Sequence, residues 1–162
     1  MKNEVLNAVN EQINFEFLSA YLYLDMSGKM DDAGFPGFSN WLKKQWHEEL
    51  EHAEKLIDFV QRRNEAVTLK AIPLEEVKGT TPLELAKEVL EHEQLVTSKI
   101  YALRKLAMDE GDQALEVFLN WYVKEQVEEE ENAQELIDMF EAAEDSTAAM
   151  FQVDSLLAKR SV

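Results

Sequence analysis

The chain has 162 residues, of which 46% are hydrophobic, which suits one domain with a buried core and is short for two. Its 33 acidic residues outnumber 16 basic ones, so the net charge of -17 disfavours nucleic acid as a partner and favours cations. Without cysteine, an apolar run of roughly 18 residues or a secretory signal, the sequence predicts a cytoplasmic protein with no thiolate metal ligands and no membrane partner.

Apolar side chains recur every three to four residues along most of the chain, which predicts amphipathic helices. The first covers about residues 3–30, and the second covers about residues 38–63 after breakers at 31–37. A third helix begins at Pro82, because Thr81 and Glu84 form a capping box around it. Gly111 and Asp112 end that helix and start a fourth, which extends to about residue 143.

Residues 64–81 lose the helical period and contain Pro73 and Gly79. A connection of this length inside a bundle is typical of a crossover that lets two neighbouring helices run parallel. Asp145 and Ser146 can cap a short fifth helix over about residues 146–160. We therefore expect an all-α four-helix bundle in one domain over 1–162, with the bundle at about 3–143.

Each of the four long helices carries one acid on its apolar face. Glu16 lies on the stripe of the first helix, Glu93 on that of the third and Glu129 on that of the fourth. The second helix carries Glu49 and, three residues later on the same face, His52. In a four-helix bundle these five side chains can converge on one point.

Four carboxylates at one point need compensation. At about 4 Å and an effective dielectric constant near 20, each pair repels by roughly 4 kcal/mol, so protons or bound cations must relieve the charge. A lone buried acid is more often a helix-edge residue that reaches water, and one Glu-x-x-His pair is weak evidence for a metal. Acids on four helices favour a metal site, and carboxylates with a single imidazole suit iron or manganese and tolerate zinc.

Several neighbouring polar residues have simpler interpretations. His47 and His92 adjoin the key acids but are rotated away by about 100° per residue, which predicts a surface or interface position. Glu130 and Glu131 are predicted to lie on a solvated face. Tyr23 stands two turns beyond Glu16 and is more often a core aromatic, although it could donate a hydrogen bond to a site carboxylate.

These segments resemble those of the non-haem ferritins of bacteria and archaea, over essentially the full length of the chain. The matching segments, one on each long helix, are NEQINFE at residues 10–16, EELEH at 48–52, HEQL at 92–95 and WYVKEQVEE at 121–129. Ferritin-like di-iron bundles carry Glu-x-x-His motifs on two helices. In this chain Gln126 and Glu129 stand at the positions of the second motif, so its histidine is absent. This pattern matches ferritins whose second iron has only oxygen ligands. Leu50 stands where bacterioferritins place a haem-binding methionine, so no haem is predicted.

The resemblance implies specific ligands. One iron would be bound by Glu16, Glu49 and His52, and a second by Glu49, Glu93 and Glu129, with Glu49 as the bridge. Gln126 would hold a water or oxygen species nearby, and Tyr23 is counted with the catalytic set. A third, looser iron position would use four glutamates: Glu48, Glu125, Glu128 and Glu129.

The resemblance also implies an activity and an assembly. Fe(II) would be oxidised by dioxygen or hydrogen peroxide and stored as ferric oxyhydroxide inside a shell of twenty-four subunits. The short fifth helix would pack around the four-fold axis of that shell, with Met150 and Leu157 at an interface between subunits. Two alternatives remain open from the sequence: a structural or metal-buffering shell subunit with little turnover, and a small-oligomer di-iron redox or peroxide-scavenging enzyme.

Overall fold

A computed structural model describes residues 1–160, which form five α-helices and no β-strand. The helices are α1 (Asn3–Asp32), α2 (Pro36–Arg62), α3 (Pro82–Asp109), α4 (Gln113–Ala143) and α5 (Thr147–Leu157). The predicted all-α bundle with a long crossover and a short fifth helix is therefore confirmed. Within the described range, none of these helices has both the length and the apolar character needed to cross a membrane.

The helix starts agree with the predicted capping residues. Thr81 and Glu84 form the reciprocal capping box of α3, and the side chains of Asp112 and Ser146 cap α4 and α5. The turn between α1 and α2 is shorter than predicted. Pro36 opens α2 instead of ending a loop, because the first turn of a helix tolerates a residue without an N–H group.

The four long helices form two antiparallel hairpins, α1–α2 and α3–α4. α1 also packs antiparallel to α3, and α2 packs antiparallel to α4. The parallel pair created by the crossover is therefore α2 and α3, which lie diagonally across the bundle and are not neighbours as expected. The contacts that fix these directions are Tyr23–Glu93, Phe15–Lys99, Gln45–Glu129 and Phe59–Phe118.

The crossover is attached to α1 by two asparagines one helical turn apart. Asn10 donates to the carbonyl of Ala66 and accepts from the N–H of Thr68. Asn14 repeats this pattern with the carbonyl of Thr68 and the N–H of Lys70. Four residues of helix rise about 6 Å, close to the rise of two extended residues, so the two side chains match the repeat of the crossover backbone.

The apolar core consists of two clusters, one toward each end of the bundle. The first contains Phe38, Leu85 and Phe140, and the second contains Val9, Leu56 and Leu119. On every long helix the predicted acid falls between the two clusters. The acids therefore form a polar layer across the middle of the bundle.

α5 packs against α2 and α4 of the same chain. Its Val153 and Leu157 are buried in the first core cluster, and Met150 is partly buried beside them. The expectation that Met150 and Leu157 face another subunit is therefore wrong, because these side chains cover the end of their own bundle. The outward apolar side chains of α5 are Phe151 and Leu156, which are 53% and 57% exposed.

A buried carboxylate joins α5 to the start of α2. Asp154 accepts hydrogen bonds from the backbone N–H groups of Gly37 at 2.9 Å and Phe38 at 2.8 Å. These are two of the N–H groups that a helix leaves without an internal partner. A Cβ atom at Gly37 would lie 1.8 Å from the Asp154 carbonyl oxygen, so glycine is required for this close approach.

Candidate metal centre

The polar layer contains one buried glutamate from each long helix. Glu16, Glu49, Glu93 and Glu129 are between 0% and 4% exposed. Each follows the helical period of its apolar neighbours, so the packing that buries those neighbours also buries the acid. Burial of four carboxyls in one layer is unfavourable unless protons, donors or cations compensate them.

Three of the predicted ligands offer atoms within 4.8 Å of one another: Glu16, Glu49 and His52. His52 Nδ1 lies 3.4 Å from Glu49 Oε2. Oε2 of Glu16 and Oε2 of Glu49 are buried and accept no hydrogen bond. Two such oxygens beside an imidazole make this cluster a candidate position for a metal ion.

A second set of atoms within 4.8 Å of one another is formed by His52, Glu125 and Glu129. Here His52 Nε2 lies 3.9 Å from Glu125 Oε1. In the part of the chain that the structure describes, Glu93 belongs to neither set of three. The imidazole, and not the Glu49 carboxylate, is thus the side chain common to both clusters in this arrangement.

Two glutamine side chains donate into the layer, and sequence reasoning assigned them no role. Gln12 Nε2 donates to Glu16 Oε1 at 2.8 Å. Gln45 Nε2 donates to Glu129 Oε2 at 2.6 Å and lies 3.5 Å from Glu49 Oε1. The available signal was spacing, because each glutamine precedes a buried glutamate of its own helix by four residues.

Glu93 is held by a different pair of donors. The Tyr23 hydroxyl donates to Glu93 Oε1, as the sequence suggested for this tyrosine. Gln126 Nε2 lies 3.1 Å from Glu93 Oε2 and 3.2 Å from Thr97 Oγ1. The NH₂ group of Gln126 is therefore already hydrogen-bonded to protein atoms. Tyr23 holds the second carboxylate oxygen of Glu93.

The carboxyls of the layer bind protons more tightly than free glutamate. Burial, together with the charge of Glu49, raises the pKa of Glu16 and of Glu129 to about 8. Burial and the charge of Glu129 raise the pKa of Glu93 to about 8, and burial also raises the pKa of Glu49. A divalent cation can replace these protons, so the layer is suited to exchange protons for metal.

The imidazole shows the opposite balance. Burial acts to lower the pKa of His52, but its contacts with Glu125 and Glu49 outweigh burial and raise that pKa to about 12. The same contact with His52 lowers the pKa of Glu125. Without a cation the imidazolium therefore serves as the positive charge of the centre, and a metal ion would have to displace its proton.

Two predictions around the site are wrong. His92 is buried, because the Phe15 ring stacks on it at 5.6 Å and its Nε2 lies 2.8 Å from the Ser19 hydroxyl. Burial lowers the pKa of His92 to about 4. Glu130 is not free on a solvated face, since its carboxylate accepts a 2.6 Å hydrogen bond from Thr97. In contrast, His47 is exposed.

The glutamates predicted for a looser third position are spread around the edge of the layer. Glu125 is partly buried beside His52, whereas Glu128 is exposed. Glu48 is partly buried, and its charge contributes to the raised pKa of Glu129. Its Oε2 accepts a 2.6 Å hydrogen bond from Arg160, a contact that the sequence did not suggest.

A bundle of this topology with a carboxylate and histidine layer at its centre defines the ferritin-like class. The profile of the family described as "Ferritin-like domain" matches residues 6–143. The chain belongs to this family and, within it, to the prokaryotic non-haem ferritins, as the sequence motifs predicted. The relatives that support this assignment are bacterial and archaeal.

The chain is 39% identical over 160 residues to a bacterial non-heme ferritin of Bacteroides fragilis strain 638R, covering 99% of both proteins. It is 35% identical over 161 residues to that of Staphylococcus haemolyticus, covering 99% of this chain and 97% of the relative. It is also similar to the crystal structure of an open pore ferritin from the hyperthermophilic archaeon Archaeoglobus fulgidus. That comparison has a TM-score of 0.97 and 41% identity, and it covers 99% of both chains.

Proposed function

We propose that the protein is an iron-storage ferritin that oxidises Fe(II) at a two-iron centre within each subunit. The observation that carries this proposal is the pair of buried oxygens that accept no hydrogen bond, Glu16 Oε2 and Glu49 Oε2, beside His52. A buried polar atom without a partner costs about 1–3 kcal/mol, which a bound cation would recover. Oxygen donors with one imidazole suit Fe(II).

The proposed first iron position uses Glu16, Glu49 and His52, and the second uses Glu49, Glu93 and Glu129. Support for Glu49 as the bridge comes from the position of its two oxygens. Its Oε2 lies 3.4 Å from His52 Nδ1, on the side of the first position. Its Oε1 lies 3.5 Å from Gln45 Nε2, which also donates to Glu129 of the second position.

Two Fe(II) ions at adjacent positions can each give one electron to a dioxygen molecule, which takes up two protons to become hydrogen peroxide. Hydrogen peroxide can also replace dioxygen as the oxidant. The carboxylates stabilise the ferric product because their charge favours the higher oxidation state. Tyr23 and Gln126 hold Glu93 in place through the hydrogen bonds described above. This enzymatic activity is that of a ferroxidase.

A third, looser position for iron in transit would use the four glutamates at the edge of the layer: Glu48, Glu125, Glu128 and Glu129. Haem is not part of the proposal. Ferric oxyhydroxide would collect inside a hollow homo-oligomeric shell of twenty-four subunits in the cytoplasm. The outward Phe151 and Leu156 of α5 are available for contacts between such subunits, and the net charge of -17 would concentrate Fe(II) around the assembly.

The test combines Glu49→Ala and His52→Ala in one variant. Its matched control is Glu51→Ala with His47→Ala, which removes the same residue types from exposed positions of the same helix. We expect the site variant to lose fast Fe(II) oxidation in air and the control to retain it, with both keeping the native mass of a large shell. Wild-type oxidation rates in the site variant would reject the centre. A native mass near that of a dimer would reject the storage shell.

A further inference from the structure

The end of the described chain lies against the metal centre through Arg160. Its Nη2 donates to Glu48 Oε2 at 2.6 Å, and its Nη1 donates to Gln45 Oε1 at 3.2 Å and to the Trp41 carbonyl at 3.1 Å. The guanidinium also lies 4.5 Å from the centroid of the Trp41 ring. The side chain is only 18% exposed. Four groups therefore hold the Arg160 side chain: Glu48 Oε2, Gln45 Oε1, the Trp41 carbonyl and the Trp41 ring. Together they form the seat of Arg160.

The seat depends on how α5 is docked. Arg160 follows α5 by three residues, and the helix is fixed by buried Leu157 and Val153 and by the Asp154 cap on α2. Both members of the ion pair are largely shielded from solvent, because the Glu48 side chain is also only 28% exposed. A partly buried pair is screened less by salt than a surface pair.

Arg160 also determines the orientation of the Gln45 amide. A guanidinium can only donate hydrogen bonds, so Gln45 must turn its oxygen toward Arg160. Its NH₂ group then faces inward, where it donates to Glu129 at 2.6 Å. Arg160 is in this way one side chain removed from a proposed iron ligand.

We propose that Arg160 is a positioning residue that competes with a cation for Glu48. The inference rests on the proposed function, in which Glu48 helps to hold the loosely bound third ion. An arginine and a divalent cation cannot both use the same carboxylate oxygen at full strength. Arg160 in its seat therefore weakens cation binding at the outer position, and an ion that binds there displaces the Arg160 side chain from Glu48, since such coupling is reciprocal.

The two inner positions do not use Glu48, so the competition is selective. An ion that reaches the outer position is held weakly because it must replace an existing ion pair. Weak binding at this edge favours onward movement of the ion instead of retention. Arg160 thus increases the difference in cation affinity between the two inner positions and the outer position.

The experiment is calorimetric titration of full-length, assembled, metal-free protein with Zn²⁺, which binds such donors without redox chemistry. We expect Arg160→Gln to tighten the weakest class of Zn²⁺ sites by about fivefold, in line with the worth of a partly exposed ion pair. Arg160→Lys should give a smaller change, because it keeps the charge but loses the planar fork that joins Glu48 to Gln45. The matched control is Arg104→Gln, which removes an equal charge from the Arg104–Glu116 pair.

Glu48→Gln separates local competition from general charge. In that background we expect Arg160→Gln to have no further effect on Zn²⁺ binding. The fluorescence of Trp41 gives a second signal, because the Arg160 guanidinium moves away from the Trp41 ring when the weakest class of Zn²⁺ sites fills. In a Trp46→Phe, Trp121→Phe background, which removes the indole beside His52, emission should change over that part of the titration, but not when Arg160→Gln is added. If Arg160→Gln impairs assembly, Arg160→Lys and the emission change still test the proposal.

Equal Zn²⁺ affinities in Arg160→Gln and Arg104→Gln would overturn the proposal, as would an undiminished effect in the Glu48→Gln background. An emission change that persists in Arg160→Gln would also overturn it. Failure of the proposed function looks different. In that case the tight classes of Zn²⁺ sites would be absent from wild type or unaffected by the combined Glu49→Ala and His52→Ala variant.

Discussion

The ends of the bundle and its middle are built from the same four helices, yet they meet opposite physical demands. At the ends, side chains such as Phe140 and Leu56 are fully buried and need no hydrogen-bond partner. In the middle, four carboxyls are buried just as deeply, and two of their oxygens accept no hydrogen bond. The ends therefore supply stability, whereas the middle gives up stability, a cost that the proposed metal centre would explain.

The largest effect should come from the apolar end. Phe140 is fully buried and packs against Phe38 at 5.1 Å between ring centroids. We expect Phe140→Ala to lower the free energy of unfolding by about 3–5 kcal/mol, because it leaves a cavity that the helices cannot close. Chemical denaturation of metal-free protein at fixed concentration measures this change. The control Phe140→Leu keeps most of the volume and should lose less than half as much; equal losses would contradict a cavity effect.

The buried carboxyls of the middle layer should make the free energy of unfolding fall as the pH rises. Salt-bridged carboxylates at a surface have the opposite effect. Since the pKa of Glu16 is raised to about 8, the folded protein holds a proton that the unfolded chain has released above its ordinary pKa of 4.5. The stability from this group is present below about pH 4.5 and is lost as the pH rises toward 8, at about 1.4 kcal/mol per pH unit. Metal-free protein should therefore become less stable over this range, and Zn²⁺ should reverse the loss.

Glu16→Gln isolates that contribution. The amide is neutral at every pH, so we expect the metal-free variant to match wild type near pH 5 and to exceed its free energy of unfolding by about 3–4 kcal/mol at pH 8. Denaturant midpoints at both pH values provide the measurement. Glu131→Gln, on an exposed position of α4, serves as the control and should show no such divergence. Parallel pH curves for Glu16→Gln and wild type would show that this carboxyl is not strained by burial.

The smallest effect concerns the junction that joins the apolar end to the seat of Arg160. Asp154→Ala removes the acceptor for the Gly37 and Phe38 N–H groups, and we expect a loss of about 1–2 kcal/mol together with faster amide exchange in α5. Ser146→Ala removes only the local cap of α5 and is the comparison. Unchanged exchange of α5 in Asp154→Ala would mean that the cap does not hold the helix in place.

Much of this architecture follows from local patterns. The helical period identified the stripes that carry Glu16, Glu49, Glu93 and Glu129, and capping residues located the starts of α3, α4 and α5. Periodicity cannot reveal which segment covers a given face. His92 was expected at the surface because it is rotated away from Glu93, but Phe15 of α1 covers that face. Leu157 was expected at an interface, although α5 folds back onto its own bundle.

The sequence by itself determined that four acids and one histidine share the inner faces of an all-α bundle, because spacing along a helix fixes direction. Only the tertiary structure decided how donors and acceptors are matched across helices. It joined Gln45 to Glu129, Tyr23 to Glu93 and Arg160 to Glu48, over separations of 70 residues or more. The physical reason is that a hydrogen bond depends on atomic distances of about 3 Å, which arise only when the helices have packed.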